Sequence, residues 1–187
     1  MRYPATLIKP EFTCIEIGVW KGSFSQEILT KNPTKLILID PWLFQEEFPK
    51  RWYGGTKTKS QKDMDNVYDF VVKQFGKNDK VEIVRKKSSE AYQNLEDESI
   101  DWIYIDGNHL YEYVLEDLTN FWPKVKPGGY ITGDDYFWKD DTSDVLQVKK
   151  AVQEFILNNN LSDHLVINSN QFSIKKPSSR RGRPKKK

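Results

Sequence analysis

Residues 99–136 contain two short runs of strand-forming residues, and each run ends in aspartate. The run Ile-Tyr-Ile is followed by Asp106, and the run Gly-Tyr-Ile-Thr-Gly is followed by Asp134 and Asp135. One amphipathic segment of helical length separates them, which predicts a strand–helix–strand unit with parallel strands. Because open α/β sheets bind ligands at the carboxyl ends of their strands, we expect the three aspartates to converge at such a site.

Strand-like and helix-like segments alternate along most of the chain. Strands are predicted at 13–19, 35–40, 81–85, 100–105 and 130–133, and helices at 24–31, 61–75, 88–95, 111–125 and 145–157. Ser88 or Ser89 is the expected cap of the third helix. Segments 165–168 and 171–174 flank a two-residue turn and should form an antiparallel hairpin. The pattern predicts an α/β fold, a mostly parallel seven-stranded sheet ending in an antiparallel hairpin with helices on both faces.

Length and composition indicate one domain over residues 1–176 followed by a short tail. The single cysteine, Cys14, excludes an internal disulfide framework and a cysteine-based zinc site, and its apolar surroundings predict a buried, inert thiol. The chain has no apolar run of membrane-spanning length and no apolar segment typical of a signal peptide. We therefore expect no membrane partner, and a location in the cytoplasm, or in the nucleus of a eukaryotic host.

The basic residues are unevenly distributed. Eight of the 29 lysines and arginines, and none of the 27 acidic residues, lie in 175–187, so the preceding part of the chain carries a net negative charge. Residues 177–187 are predicted to be a disordered basic tail. Within it, Arg181–Pro184 reads Arg-Gly-Arg-Pro, which matches the core of the AT-hook that inserts arginines into an A·T-rich minor groove. A localisation signal or an unspecific nucleic-acid arm are the alternatives.

The segment Glu-Ile-Gly-Val-Trp-Lys-Gly-Ser, residues 16–23, joins the first predicted strand to the first helix. Gly18 and Gly22 would let the backbone approach a ligand closely, whereas Trp20 stands where a pyrophosphate-binding loop has its middle glycine. A ligand with a carboxylate therefore fits better than one with a pyrophosphate. Asp40 ends the second strand, where an acid can accept the hydroxyls of a ribose. The alternatives are an ordinary turn and an exposed carboxylate.

Together, these segments resemble the class I S-adenosylmethionine-dependent methyltransferases, in particular the branch of macrocin-type sugar O-methyltransferases and related small-molecule enzymes. The resemblance spans about residues 13–174 and implies a Rossmann-like methyltransferase fold. It implies that Glu16 lies near the methionine end of S-adenosylmethionine and that Asp40 holds its ribose. The other implied cofactor-binding residues are Gly18, Trp20, Gly22, Ser88 (with Ser89 beside it near the adenine) and Asp106. The resemblance further implies that Asp106, Asp134 and Asp135 bind a divalent metal.

The chemistry of methyl transfer to oxygen agrees with a metal site of this kind. A Mg²⁺ ion, which prefers hard oxygen ligands, can bind the acceptor hydroxyl and lower its pKa. The alternative is that Asp134 and Asp135 cap a loop and that Asp106 orients the cofactor without metal. His109, three residues after Asp106, is the candidate general base. Some sugar-modifying relatives have an acid at the position of Asn108, which leaves the identity of the base open.

Residues 41–60 form a polar and aromatic loop long enough to act as a lid. Acceptor binding would depend on this loop or on a second subunit, which would make the protein a homodimer. Tyr136 and Trp138 are the aromatic candidates for contact with the acceptor. The sequence thus predicts Mg²⁺-assisted O-methylation of a sugar or another small molecule. The alternatives are a metal-independent methyltransferase and a non-catalytic cofactor-fold domain tethered to DNA by its tail.

Overall fold

In the part of the chain that the structure describes, seven strands form a single sheet. Their bounds are Thr13–Ile17 (β1), Lys35–Ile39 (β2), Val81–Val84 (β3), Ile100–Ile105 (β4), Val125–Gly133 (β5), Leu165–Asn168 (β6) and Gln171–Lys175 (β7). The computed structural model describes residues 2–140 and 144–178 and orders the strands β3-β2-β1-β4-β5-β7-β6. β1 to β5 pair in parallel, whereas β7 is antiparallel to both β5 and β6. The predicted fold class, with its closing hairpin, is confirmed.

Among the described residues, five α-helices connect or flank the strands. They span Ser23–Leu29 (α1), Gln61–Phe75 (α2), Ser88–Ala91 (α3), Tyr111–Phe121 (α4) and Gln147–Asn158 (α5). α2 shows how local sequence sets these bounds. Ser60 caps it by accepting a hydrogen bond from the Asp63 amide, and its buried residues recur at helical spacing, at Met64, Val67, Val71 and Phe75.

Helices cover both faces of the sheet because the strands alternate their side chains between two apolar layers. Ile103 and Ile105 point into the layer that contains the buried residues of α4 and α5. Trp102 and Tyr104, on the same strand, point into the layer that contains α1 and α2. Complete burial of a side chain of this size stabilises the fold by roughly 1.5–3 kcal/mol.

Two local predictions were wrong. The helix predicted over 111–125 ends at Phe121, and β5 begins at Val125, because the Pro-Gly-Gly segment continues the strand instead of breaking it. There the Gly128 amide donates to the Lys176 carbonyl, and the Lys176 amide donates to Gly129, so pairing replaces the predicted break. Neither Ser88 nor Ser89 caps α3, since Lys87 occupies the N-cap position without a side-chain hydrogen bond.

The N-terminal segment, residues 2–8, packs against the sheet. It contains a 3₁₀ turn, Tyr3–Leu7, and buries Ala5 and Ile8 in the layer with α1 and α2. The Tyr3 hydroxyl and the Ser173 hydroxyl of β7 are 3.1 Å apart and share a hydrogen bond. This contact brings the start of the chain to the edge of the sheet where the parallel strands end.

Cys14 is buried in β1, as predicted, and burial raises the pKa of its thiol. Within the described ranges, no helix combines the length and the apolar character needed to cross a bilayer. The predicted AT-hook-like sequence, Arg181–Pro184, lies outside the described residues.

Candidate active site

The residues that follow β1, β2, β4 and β5 meet at one edge of the sheet and line a cavity of about 730 Å³. Backbone hydrogen bonds hold these strand ends together. The Gly18 amide donates to Ile39 at 2.9 Å, and the Asp106 amide donates to Ile17 at 2.8 Å. The Asp134 amide in turn donates to the carbonyl of Ile105 at 3.2 Å. Side chains far apart in sequence are therefore positioned by a rigid scaffold.

The loop after β1 requires glycine at two positions. Gly18 has φ +86°, and a β-carbon there would collide with the backbone carbonyl of Asp106. Gly22 has φ +73°, and a β-carbon there would collide with the ring of Phe75. Trp20 lies between them with φ +53°, a left-handed conformation that is uncommon for a residue of its size. The loop thus places backbone against the cavity at Gly18.

Both oxygens of the Asp40 carboxylate accept backbone hydrogen bonds, one from the glycine loop and one from the start of the 41–60 loop. Oδ2 accepts a hydrogen bond from the Trp20 amide at 3.0 Å, and Oδ1 accepts one from the Trp42 amide at 2.7 Å. Burial raises the pKa of Asp40, and the backbone donors partly counteract this effect. Because each carboxylate oxygen has two lone pairs, Asp40 can order the loop and still accept a hydrogen bond from a ligand in the cavity.

Glu16 is a buried acid near the carboxyl end of β1, and it lines the cavity. Its side chain is almost inaccessible, with 2% of the residue exposed, and Oε2 accepts a hydrogen bond from the Ser25 hydroxyl at 2.5 Å. Burial raises the pKa of Glu16 to about 8, although the bond from Ser25 opposes the shift. The side chain is therefore mostly protonated at neutral pH.

Asp106, His109 and Asp135 form a cluster that could hold a metal ion. Each offers a ligand atom, and these atoms lie within 4.8 Å of one another. His109 Nε2 is 3.3 Å from Asp106 Oδ1 and 3.5 Å from Asp135 Oδ2. Burial raises the pKa of Asp106, whereas its hydrogen bond with His109 lowers it. Two carboxylates and an imidazole are suitable donors for a hard or borderline divalent cation.

Asp134 has different partners. Its Oδ2 accepts a hydrogen bond of 2.8 Å from the Tyr104 hydroxyl, and its Oδ1 accepts one of 2.9 Å from the Asp135 amide. The guanidinium of Arg2 lies beside it, with Nη1 3.6 Å from Asp134 Oδ2 and 3.3 Å from Asp106 Oδ2. The three predicted metal ligands thus lie at one edge, but Asp134 is held apart from the cluster that contains His109.

Comparison with known proteins identifies the family. The sequence profile described as the methyltransferase domain matches residues 15–136, which run from the end of β1 to the acids after β5. The chain belongs to the methyltransferase domain family. A curated relative of the chain, uncharacterized protein R132 of Acanthamoeba polyphaga mimivirus, is 33% identical over 138 residues. The match covers 70% of the chain and 54% of R132, so the chain spans about half the length of that relative.

Solved structures agree with this assignment at the level of the fold. The O-methyltransferase NovP superimposes with a TM-score of 0.61 and 19% identity, over 89% of this chain and 72% of NovP. The N-methyltransferase NodS from Bradyrhizobium japonicum gives a TM-score of 0.56 and 12% identity, over 90% of this chain and 88% of NodS. The described part of the chain therefore shares the fold of these two methyltransferases, with a mixed seven-stranded sheet.

The structure places most of the predicted cofactor-binding residues of the methyltransferase around the one cavity. Those that line it are Glu16, Gly18, Trp20, Asp40, Ser88, Ser89 and Asp106. Gly22 is not among the lining residues, and its contact with Phe75 explains it as a packing position between α1 and α2. Their roles toward the cofactor stay predictions.

The residues of this site that were not predicted include Asp117, Tyr104 and Arg2. Asp117, on α4, is 4% exposed, lines the cavity and hydrogen-bonds with Ser88, and burial raises its pKa to about 7. An acid among the apolar positions of α4 is a sequence signal that identifies it. Tyr104 also had a signal, since it precedes Asp106 by two residues on a strand and so shares its face. Arg2 had none, because only the path of the N-terminal segment brings it to the acids.

The loop of residues 41–60 contributes one side of the cavity. Its Trp52 ring lies 5.6 Å from that of Trp20, and the Arg51 guanidinium lies 4.1 Å over the ring of Trp138. Trp138 lines the cavity, and its role as an acceptor contact stays a prediction. Tyr136 does not, because its side chain is 4% exposed and packs in the core near Phe172.

Proposed function

We propose that this chain transfers a methyl group from S-adenosylmethionine to a hydroxyl oxygen of a small molecule. The observation that carries the proposal is that one cavity joins the glycine loop and Asp40 to the cluster of Asp106, His109 and Asp135. A methyl donor at the first part would thus be adjacent to an acceptor at the second. Membership of the methyltransferase domain family supports this reaction class.

The residues around the cavity are suited to S-adenosylmethionine. Its volume of about 730 Å³ lies within the range of small-molecule sites. Gly18 lies in the wall of the cavity, and Asp40 can accept a hydrogen bond from a ribose hydroxyl. Ser88 and Asp117 offer polar atoms at the far side of the cavity, where the adenine would bind. The cofactor supplies a methyl group made electrophilic by the sulfonium.

The acids at the other side are suited to Mg²⁺. We assign the ion to Asp106 and Asp135, with Asp134 as the third carboxylate of the predicted set, since hard oxygen donors suit this cation. When bound, the metal would lower the pKa of an acceptor hydroxyl. A sugar or another hydroxyl compound is therefore the proposed acceptor, because a cation held by these acids would activate a hydroxyl.

His109 is proposed to accept the proton of the acceptor hydroxyl. An ionised Asp106 can only accept a hydrogen bond, so the Nε2 atom 3.3 Å away carries the hydrogen and Nδ1 carries the lone pair. Asp106 also stabilises the imidazolium that forms when the proton moves. The ring centroid of Trp138 lies 5.7 Å from that of His109, so the indole is a neighbour of the imidazole.

The test of the donor site is a calorimetric titration with S-adenosylmethionine. We expect binding by the wild-type chain and at least about tenfold weaker binding by Asp40→Asn, because an amide cannot accept hydrogen bonds with both of its terminal atoms. The exposed residue Asp163 provides a control, and Asp163→Asn should bind as the wild type does. Absence of binding by the wild-type chain would refute the proposal.

A panel of sugars and other hydroxyl compounds, assayed for S-adenosylhomocysteine with Mg²⁺ and with chelator, tests the acceptor and the metal. Turnover that needs Mg²⁺ and is lost in Asp135→Ala supports the metal assignment. Undiminished turnover in chelator would instead favour a metal-independent methyltransferase. The guanidinium of Arg2, within 3.6 Å of two of the acids, is the observation that favours this second candidate.

The tail supports a separate proposal, that the domain is tethered to DNA. Its sequence at Arg181–Pro184 matches the AT-hook core, and its positive charge suits the phosphate backbone. The full chain should then bind A·T-rich duplex in a salt-sensitive manner, and a chain lacking 177–187 should not. Equal binding by both would refute tethering. The homodimer and the cytoplasmic or nuclear location stay predictions.

A further inference from the structure

One guanidinium nitrogen of Arg2 lies close to three side-chain oxygens at the ends of β4 and β5. Its Nη1 lies 3.0 Å from the Tyr104 hydroxyl, 3.3 Å from Asp106 Oδ2 and 3.6 Å from Asp134 Oδ2. The guanidinium therefore occupies the space between the ends of β4 and β5, facing two of the three carboxylates in the predicted metal set. It lines the same cavity as those carboxylates.

The position of Arg2 is fixed by several independent contacts. Its backbone amide donates to Glu27 Oε1 at 2.7 Å, and its guanidinium lies 4.5 Å over the ring of Phe24. The next residue, Tyr3, donates its amide to Gln171 Oε1 at 3.1 Å and shares a hydrogen bond with Ser173. Contacts with α1 and β7 thus fix the backbone of this segment on two sides. The fixed backbone places the guanidinium of Arg2 beside the acids.

A guanidinium and a divalent cation cannot both be close to the same two carboxylates without strong repulsion. Like charges a few ångströms apart in a partly buried site interact far more strongly than they do in water. With 39% of its side chain exposed, Arg2 can also swing toward solvent when another cation takes its place. The arginine thus neutralises the acids in the metal-free chain and opposes the arrival of a metal.

We propose that Arg2 is an internal cation that competes with a divalent metal ion for Asp106 and Asp134, so that metal binding displaces its side chain. This inference rests on the metal assignment within the proposed function. Arg2 would then be a residue that sets metal affinity, and removing its charge would strengthen metal binding. The Tyr104 hydroxyl, released from Arg2, would keep its bond to Asp134.

The experiment is a titration of the full chain with Mn²⁺, followed by the electron paramagnetic resonance signal of the free ion, for wild type and variants. Arg2→Ala and Arg2→Gln should each bind Mn²⁺ at least about tenfold more tightly, a change in affinity of at least about 1.4 kcal/mol. Arg2→Lys, which keeps the charge, should stay near the wild type. Lys9→Ala removes an exposed charge from the neighbouring segment and should change nothing.

Equal or weaker Mn²⁺ binding by both neutral variants would overturn the competition while leaving the metal site in place. No binding by any variant at millimolar Mn²⁺ would overturn both the competition and the metal assignment. The titration with S-adenosylmethionine, performed on the same samples, separates these results from a failure of the methyl-donor site. It also verifies that each variant is folded. If one of the two neutral variants does not fold, the other still tests the competition.

Discussion

The Tyr104 hydroxyl donates a hydrogen bond of 2.8 Å to Asp134 and thereby joins the ends of two adjacent parallel strands. Burial is the main cause that raises the pKa of Tyr104, and the neighbouring acids raise it further, so the hydroxyl keeps its proton and acts as a donor. The bond decides where the Asp134 carboxylate lies. Asp134 is therefore oriented by the sheet itself, whereas Asp135, one residue later, is near His109.

Replacement of Tyr104 by phenylalanine tests this bond. The ring stacks on Trp102 and would remain, so the loss is confined to the hydroxyl, which donates to Asp134 and accepts from Arg2 and Gln171. We expect the free energy of unfolding, measured in urea, to fall by about 1.5–3 kcal/mol, the contribution of a hydrogen bond to a charged group. Tyr130→Phe, on the neighbouring strand, is the matched control and should change it by less than about 0.5 kcal/mol. An equal decrease in the free energy of unfolding in both variants would show that the bond between Tyr104 and Asp134 does not stabilise the fold.

The spacing of apolar residues along the chain was sufficient to predict the helices and strands that position the site. The bounds of α2, β4 and β6 agree with the prediction because apolar spacing, and in α2 the Ser60 cap, determine them. The convergence of Asp106 and Asp134 at one edge followed from the parallel direction of two strands. In these cases the information is contained within about fifteen consecutive residues or in the direction of a strand.

Tertiary contacts determined the rest of the site. The direction of the Asp134 carboxylate depends on Tyr104, thirty residues earlier, and no spacing rule reports such a pair. Arg2 reaches the acids only because Tyr3 pairs with residues of β7 at the opposite end of the chain. Tyr136 failed as an acceptor contact because the backbone turns at Asp135, with φ +55°, and sends the next side chain into the core.

Substitution of Gly18 by alanine should damage both the fold and the donor site. The left-handed backbone alone costs about 1–2 kcal/mol for a residue with a β-carbon, and the collision with Asp106 adds to this. We expect a lower melting temperature and loss of S-adenosylmethionine binding in calorimetry. Gly107→Ala is the control, since its nearest contact would be an ordinary 3.8 Å from Ile17. If Gly18→Ala and Gly107→Ala melt at the same temperature, Gly18 does not lie in close contact with the backbone of Asp106.

Loss of the imidazole of His109 should affect turnover more than donor binding. General-base catalysis contributes about 10²–10⁴-fold, so His109→Ala should reduce kcat by an amount of this order. Its affinity for S-adenosylmethionine should stay near that of the wild type. The comparison uses initial rates with an acceptor found in the hydroxyl panel, with His164→Ala as the control outside the cavity. Undiminished kcat would exclude His109 as the base.

The buried acid Glu16 should make stability depend on pH in a defined direction. Its pKa is about 8 in the folded chain, because burial disfavours the carboxylate, and near 4.5 when the side chain is exposed. The folded state therefore binds the proton more tightly than the unfolded state does. The contribution to stability is complete below about pH 4.5 and is lost as the pH rises toward 8, by up to about 1.4 kcal/mol per unit.

Glu16→Gln removes this dependence and keeps an oxygen that can accept from Ser25. We measure the free energy of unfolding without cofactor between pH 5 and 8. The value for the variant minus the value for the wild type should increase as the pH rises. Asp117, whose pKa burial raises to about 7, is present in both proteins, and its contribution cancels in the difference. Glu112→Gln, at an exposed position of α4, should follow the wild type. Parallel curves for Glu16→Gln and the wild type would show that Glu16 is charged in the folded protein.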